Sequence, residues 1–385
     1  MAITARVLET VRDVPRDAWD ALVRDESPFV EWSWLAMLEE ARTVGRETGW
    51  LPQHLTLWDG DALIGACPLY LKAHSMGEFV FDQTWATAAR RAGIEYYPKL
   101  LVGVPFTPVT GGRFLAGAAD VDRVRIGLAS VLERLCTEQG FSSVHVNFCR
   151  PDEGAVLASR GWLRRLGYQY QWRNEGFRTF DDYLASLRSK RRNQVRRERR
   201  ELAAEAVEIT AHVGDDIPPD VAPLAYRLYR TTVDSNPWGQ RYLTQRFFEL
   251  AIERFRDRLC LILARRRGEV IAGTFNVQKG DAMYGRYWGA FSFVRHLHFN
   301  VCYYAAIEHC IASGFARFEP GAGGEFKHFR GFEATSTESM HWIREPRFRA
   351  AVKDFLMRER EAVSDEIEWH DEKTAHKRDR DDDDE

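Results

Sequence analysis

RLCLILARRRGEVIAGTFNVQKGDAMYGRYWGA, residues 258–290, decides the fold. Apolar runs interrupted near Gly268 and Gly280 read as three successive strands joined by short turns. The pattern has a counterpart upstream. LIGACPLYLK (63–72) and VIAGTFNVQK (270–279) share an apolar start, a small-residue pair and a closing lysine at the same offset. GEFVFDQTWA (77–86) likewise parallels DAMYGRYWGA (281–290), with Trp85 near the place of Trp288. A long-period repeat of this kind predicts one α/β unit used twice.

Working outward, the hairpin HLTLWDGDALIGACPLYLK turns at Asp59-Gly60. Helices are expected over 27–41, 121–138, 152–166, 221–233, 243–256 and 301–315, with helical character over 183–206. Strands are expected over 142–149 and 207–213. The resulting plan is a first lobe over 1–180, a second over 181–365, and a disordered acidic tail over 366–385. The final DEKTAHKRDRDDDDE has eight acidic and four basic groups, −4 of the net −3, so the rest of the chain stands near +1. That tail has nothing apolar to bury.

The chain is 45% hydrophobic and 29% charged, an ordinary balance for two packed cores. Twelve tryptophans and 23 phenylalanines call for a large buried aromatic surface or an aromatic pocket. No stretch approaches the roughly 18 apolar residues of a membrane span, and MAITARVLETVRD lacks a signal-peptide core. The six cysteines are scattered, without a CxxC pair. These features lead us to expect reduced thiols in a cytoplasmic protein, with no disulfide framework or zinc site.

Helix-flanked meanders in tandem resemble the GNAT acyltransferase fold as duplicated in FemABX proteins, which add amino acids from aminoacyl-tRNA to peptidoglycan precursors. The whole chain is similar to the FemAB-like, peptidoglycan biosynthesis/recognition family. The motifs that carry this are HSMGEFVFDQTWA (74–86), YYPKLLVGVPFTPVTGGR (96–113), LRSKRRNQVRRER (187–199), YGRYWGA (284–290), LHFNVCYYAAI (297–307) and EPGAGGEFKHFRGF (319–332). The resemblance implies an α/β fold with tandem GNAT-like lobes. It also implies that Lys327, in the Phe-Lys position, stabilises an oxyanion. The family's last motif commonly has histidine just after Gly-Glu; here Phe326 stands there and the histidine is His328. Neither half carries the Q/R-x-x-G-x-G/A loop with which acetyl-CoA enzymes cradle pyrophosphate at a helix start. AFSFVRHLHFN (290–300) has no glycine at all.

The glycine-rich EPGAGGEFKHFRGF reads as a binding loop, since interleaved glycines let a backbone approach a ligand. Glu319, at a strand end, and Glu325 are the candidate bases, and Arg330 would pair with the same charges. Arg286 and Trp288 share a strand face suited to an anionic, planar group. His298 is a candidate proton carrier. His296 lies two positions before it in an extended segment, but without a third ligand no metal site is assigned. Upstream, Glu78 and Asp82 alternate onto one strand face. Lys99, Thr107 and Arg113 belong to a stiff, proline- and glycine-rich loop expected to line a cleft between the halves. Arg188, Arg192, Arg196 and Arg200 recur every four residues, a helical ridge fitting tRNA or an anionic lipid surface.

Together these features predict an N-acyltransferase that moves an acyl or aminoacyl group to an amine, by direct attack without a covalent enzyme intermediate. The acceptor would be a small molecule or a peptidoglycan-related precursor. Acyl-CoA or aminoacyl-tRNA would be the co-substrate, with no tightly bound cofactor. A second reading stays open: a non-catalytic binder of an anionic polymer or glycan on the same fold. Peripheral contact with a membrane is compatible with either.

Overall fold

The computed structural model describes residues 3–117, 120–236 and 239–377. The chain forms two compact α/β units. One comprises Met1–Gly167 with Ser336–Ser364; the other comprises Tyr168–Thr335 with Asp365–Glu385. Each is thus completed by residues from the opposite half of the sequence, so the expected boundary near 180 does not divide the chain in two.

In the first unit, Ile3–Leu8, His54–Asp59, Ala62–Cys67 and Leu115–Ala116 form an antiparallel sheet in that order. The predicted turn at Asp59-Gly60 is present. Pro68 ends the third strand, and the chain resumes as Leu69–Lys72 in another sheet, since proline cannot donate to a ladder. There Leu69–Lys72 pairs with Lys99–Val102, which runs parallel to Ser143–Cys149. Met340–Ile343 closes that side antiparallel to Ser143–Cys149. The helix Val121–Glu138 places Val124, Leu128, Leu132 and Cys136 in the core. Their four-residue spacing is one helix face. Each fully buried leucine there contributes about 1.5–3 kcal/mol.

In the second unit the strand order is Val207–Val213, Leu259–Arg266, Glu269–Lys279, Ala282–Ala290, Arg317–Glu319 and Leu163–Arg173. All neighbours are antiparallel except Ala282–Ala290 and Arg317–Glu319, which run parallel. The run LCLILA is buried along its whole length, as expected for a strand covered on both faces. Cys260, Ile262 and Ala264 meet Val301, Tyr304 and Ile307 in one core. The helix Ala222–Ser235 lies against the strand Ala282–Ala290. A Cβ on Gly289 would come within 1.9 Å of the Leu228 carbonyl, so only glycine permits this approach.

Several local readings change. Residues 77–82 are not a strand, and Trp85 lies on the helix Gln83–Arg91. The backbone turns at Gly77 and Phe79, both with positive φ, so Glu78 and Asp82 do not alternate along an extended segment. The expected helix over 152–166 stops at Ser159, and Leu163–Arg173 is a strand. The segment expected as a tail is helical as far as Glu372, and Ala375 is buried; residues 378–385 lie outside the described residues.

Candidate active site

The parallel pair of the second unit is short. Ala282, Met283 and Tyr284 face Arg317, Phe318 and Glu319; the pairing then ends at Pro320, while the longer strand continues to Ala290. Beyond Tyr284 that strand edge opens on a cavity of about 260 Å³. The split requires glycine on both sides. A Cβ at Gly285 would press on the Pro320 backbone at 3.2 Å, and one at Gly321, whose φ is +92°, would meet the Gly285 carbonyl at 3.1 Å.

A bulge sets the cavity's charge. Phe275 pairs with Tyr287 and Asn276 with Gly285, leaving Arg286 as the extra residue. Bulges re-aim a side chain, and Arg286 lines the cavity with Trp288. The far wall comes from Leu297–Ala312, a helix with one π-helical turn at Asn300–Tyr304. Such turns recur at functional sites, and here His298, Cys302 and Tyr303 face the cavity. The His298 ring sits edge-on to Trp288 and Tyr303, at centroid distances of 5.1 and 5.3 Å. Burial, with the charges of Lys327 and Arg330 behind it, pulls His298 down to about 4. At neutral pH it is an uncharged imidazole.

Lys327 lies under the glycine loop. Its ammonium donates to the carbonyls of Gly321 (2.6 Å), Ala322 (3.4 Å) and Gly323. Burial lowers it to about 8. Gly321, Gly323 and Gly324 all have positive φ, which turns their carbonyls toward this one cation at no steric cost. Lys327 therefore shapes the loop and brings positive charge to the cavity.

The sequence-selected residues divide. Arg286, Trp288, His298 and Lys327 come together. Glu319 is buried next to Pro320 with Arg317 at 4.0 Å, but does not line the cavity. Glu325 is exposed. Arg330 is buried, donating to Glu198 (2.7 and 3.0 Å), the Tyr304 hydroxyl (2.8 Å) and the Phe326 carbonyl (2.8 Å), with its guanidinium 3.5 Å from the Phe299 ring centre. It ties the loop to two helices and has no free face for substrate. His296 adopts a left-handed backbone and meets Glu201 at 2.9 Å, so it does not share a face with His298. Thr274, Asn276, Cys302 and Tyr303 also line the cavity; sequence reasoning missed them because neither a bulge nor a π-turn has a local signature.

The first-unit candidates are enclosed within that unit. Lys99 donates to Ser75 (2.9 Å), Glu78 (2.9 Å) and Asp82 (2.5 Å). Burial pulls the Lys99 ammonium down, yet Glu78 and Asp82 outweigh it and hold it above the ordinary lysine value. Burial keeps Glu78 high, whereas for Asp82 burial is outweighed by Lys99 and the carboxyl stays low. Thr107 donates to the Pro105 carbonyl at 2.9 Å. Arg113 donates to the carbonyls of Asn147 (2.8 Å), Gly111 (3.2 Å), Gly112 (3.3 Å) and Val109 (2.5 Å). These three residues, expected as polar contacts of a cleft-lining loop, instead bond within their own unit and stitch that loop into its core.

The arginine ridge also divides. Arg188 and Arg192 are half-buried, and Arg192 lies 3.2 Å from Ser189. Arg196 and Arg200 are exposed on the helix Ser189–Ala203, beside Lys190 and Arg197. Among the described residues no group of three or more His, Cys, Asp or Glu is placed to hold a metal ion.

Two α/β units, each with a short parallel pair and a strand from the other half of the chain, the second unit's pair splitting over a cavity, define a tandem GNAT-like protein of the FemABX type. The chain belongs to the FemAB-like family, described as peptidoglycan biosynthesis/recognition, whose pattern matches residues 10–378. Among solved structures it is similar to FemX, with 10% identity, 92% of this chain and 100% of that chain covered, and a TM-score of 0.56. It is also similar to the C-terminal domain of a putative lysylphosphatidylglycerol synthetase from Agrobacterium fabrum (8% identity, 88% and 94% covered, TM-score 0.53). A third likeness is to L-PGS from Bacillus licheniformis (9% identity, 83% and 95% covered, TM-score 0.51). At these identities the likeness is one of fold. No curated protein matched in sequence.

Proposed function

We propose that the protein transfers an acyl or aminoacyl group to an amine acceptor, a peptidoglycan-related precursor being the class its family suggests. One observation carries this reading: the cavity at the split parallel pair gathers Arg286, Trp288, His298 and Lys327. The amine nitrogen attacks the donor's carbonyl carbon, and a C–N bond forms. The oxyanion is met by the strand edge beyond Tyr284 and by the positive charge of Lys327. Neutral His298 takes the amine proton and returns it to the leaving oxygen or sulfur as the donor's ester or thioester bond breaks. The base role expected of Glu319 or Glu325 passes to His298, because neither carboxylate lines the cavity. Arg286 and Trp288 hold the donor's anionic and planar parts.

The donor is acyl-CoA or aminoacyl-tRNA. Calorimetric titration with acetyl-CoA, then with charged tRNA, distinguishes them. We expect saturable binding of one donor, weakened at least tenfold in Arg286→Ala. If neither donor binds, or if the variant binds as wild type does, the transfer reading fails and the binder of an anionic polymer takes its place.

A further inference from the structure

We propose that the second unit docks on anionic lipid bilayers through one continuous surface made by the loop 291–296 and the helix Ser189–Ala203. Phe293 is 95% exposed, the most exposed of the large apolar side chains described, and Phe291 two residues earlier is 38% exposed. Both directly follow the strand Ala282–Ala290 that walls the cavity. An aromatic ring held this far into water gains by entering an apolar phase.

Cations surround it. The Arg227 guanidinium lies 4.9 Å from the Phe291 ring centre. Arg295 is exposed and lies 3.2 Å from Glu201, and His296 meets the same carboxylate at 2.9 Å. Glu201 belongs to the basic helix, so this pair of contacts pins the aromatic loop to it. On that helix Lys190, Arg196, Arg197 and Arg200 are all exposed along one groove. The nearby acids are already engaged: Glu201 in the loop contacts and, at 3.9 Å, with Arg197, Glu198 in the buried pair with Arg330, Glu205 with Arg266 at 2.7 Å, and Glu308 with Arg199 at 2.7 Å. The net surface is positive with an apolar tip.

A basic face with a protruding aromatic is the pattern of interfacial attachment, in which arginines are drawn to anionic headgroups and the ring enters the acyl boundary. Nucleic acid would also use the arginines and could stack a base on the projecting ring, so tRNA is the competing occupant that the test separates from the bilayer. No helix among the described residues is long and apolar enough to cross a membrane, so attachment would be peripheral. The inference stands whether or not the transfer reading holds.

The test is co-sedimentation of the full chain with phosphatidylcholine vesicles, with and without phosphatidylglycerol, alongside a titration with uncharged tRNA. We expect binding only to the phosphatidylglycerol vesicles, weakening steeply as salt rises. Phe293→Ser should weaken it about tenfold, and each of Arg196→Gln, Arg197→Gln and Arg200→Gln about fivefold. Phe293 makes no core contact, so its variant should keep the wild-type thermal midpoint. Absence of vesicle binding at low salt overturns the proposal. So does wild-type binding by Phe293→Ser, or tight binding of tRNA with no binding of vesicles.

Discussion

Arg113 and Lys327 do the same thing in two different settings. Each follows a glycine-rich loop near the end of its unit's parallel strand pair, and each donates to several backbone carbonyls of that loop. Both side chains are buried, but around Arg113 the loop itself is packed shut as well. Around Lys327 the loop stands on the rim of the 260 Å³ cavity, and its glycines remain exposed or half-exposed. The difference teaches that a cation collecting carbonyls is not in itself a sign of a site. What distinguishes the second unit is the bulge that turns Arg286 inward and the π-turn that brings up His298. In the first unit Lys99, Glu78 and Asp82 close on each other instead.

The comparison breaks most readily at those two cations. Arg113→Met should destabilise the protein by about 3–5 kcal/mol, because four buried carbonyls lose a charged donor without access to water. Lys327→Met should cost about 1 kcal/mol, because its carbonyls can rehydrate, but should weaken donor binding at least tenfold. Chemical denaturation of both variants and calorimetry of the second give the numbers. Equal losses of stability would mean that the open and closed loops differ only in shape.

A smaller change sharpens the same contrast. In Gly285→Ala the added methyl presses on the Pro320 backbone at 3.2 Å and narrows the split. Donor affinity should fall several-fold, while stability should move by only about 1 kcal/mol. A stability loss well beyond that, with affinity intact, would make the split a packing feature and not the mouth of a site.

How far the sequence revealed this depends on whether the signal was local. The run 258–290 has strand periodicity and turn glycines within reach of each other, and its three strands appear where expected. The helix Val121–Glu138 was legible for the same reason. The strand Leu163–Arg173 was not. It finds a partner at Arg317–Phe318, more than 140 positions away, and nothing in LRRLGYQYQWR announces that pairing. The repeat misled at 77–86, where Gly77 and Phe79 turn the chain and Asp82 precedes a helix, although the letters align with a strand. At the site, Arg286, Trp288 and Lys327 were visible as chemistry in a glycine setting. Arg286 as a bulge residue was not, because a bulge exists only in the register between two strands. Arg330 looked like a ligand because its partner Glu198 lies 132 residues earlier in the chain.

The smallest effect expected is one of pH, and it bears on the roles given to His298 and Lys327. Both are bases whose folded values lie below their unfolded ones, His298 at about 4 and Lys327 at about 8. The unfolded chain therefore binds more protons in the windows from about 4 to 6.5 and from about 8 to 10.4, and each group makes stability rise with pH across its window. The proposed transfer needs His298 neutral and Lys327 charged. Turnover should therefore rise as pH passes about 4 and decline as it passes about 8, giving a bell whose limbs are separately assignable. In Lys327→Arg the basic limb should move upward, since an arginine does not lose its proton there. In the first unit, burial, aided by the Lys99 charge, pulls Lys72 to about 6, so it loses its proton midway between those two limbs. Lys72→Met should leave the bell where it is and flatten only the rise of stability between about pH 6 and 10.4. A bell displaced by Lys72→Met and untouched by Lys327→Arg would put the titrating group in the closed unit and reverse the assignment.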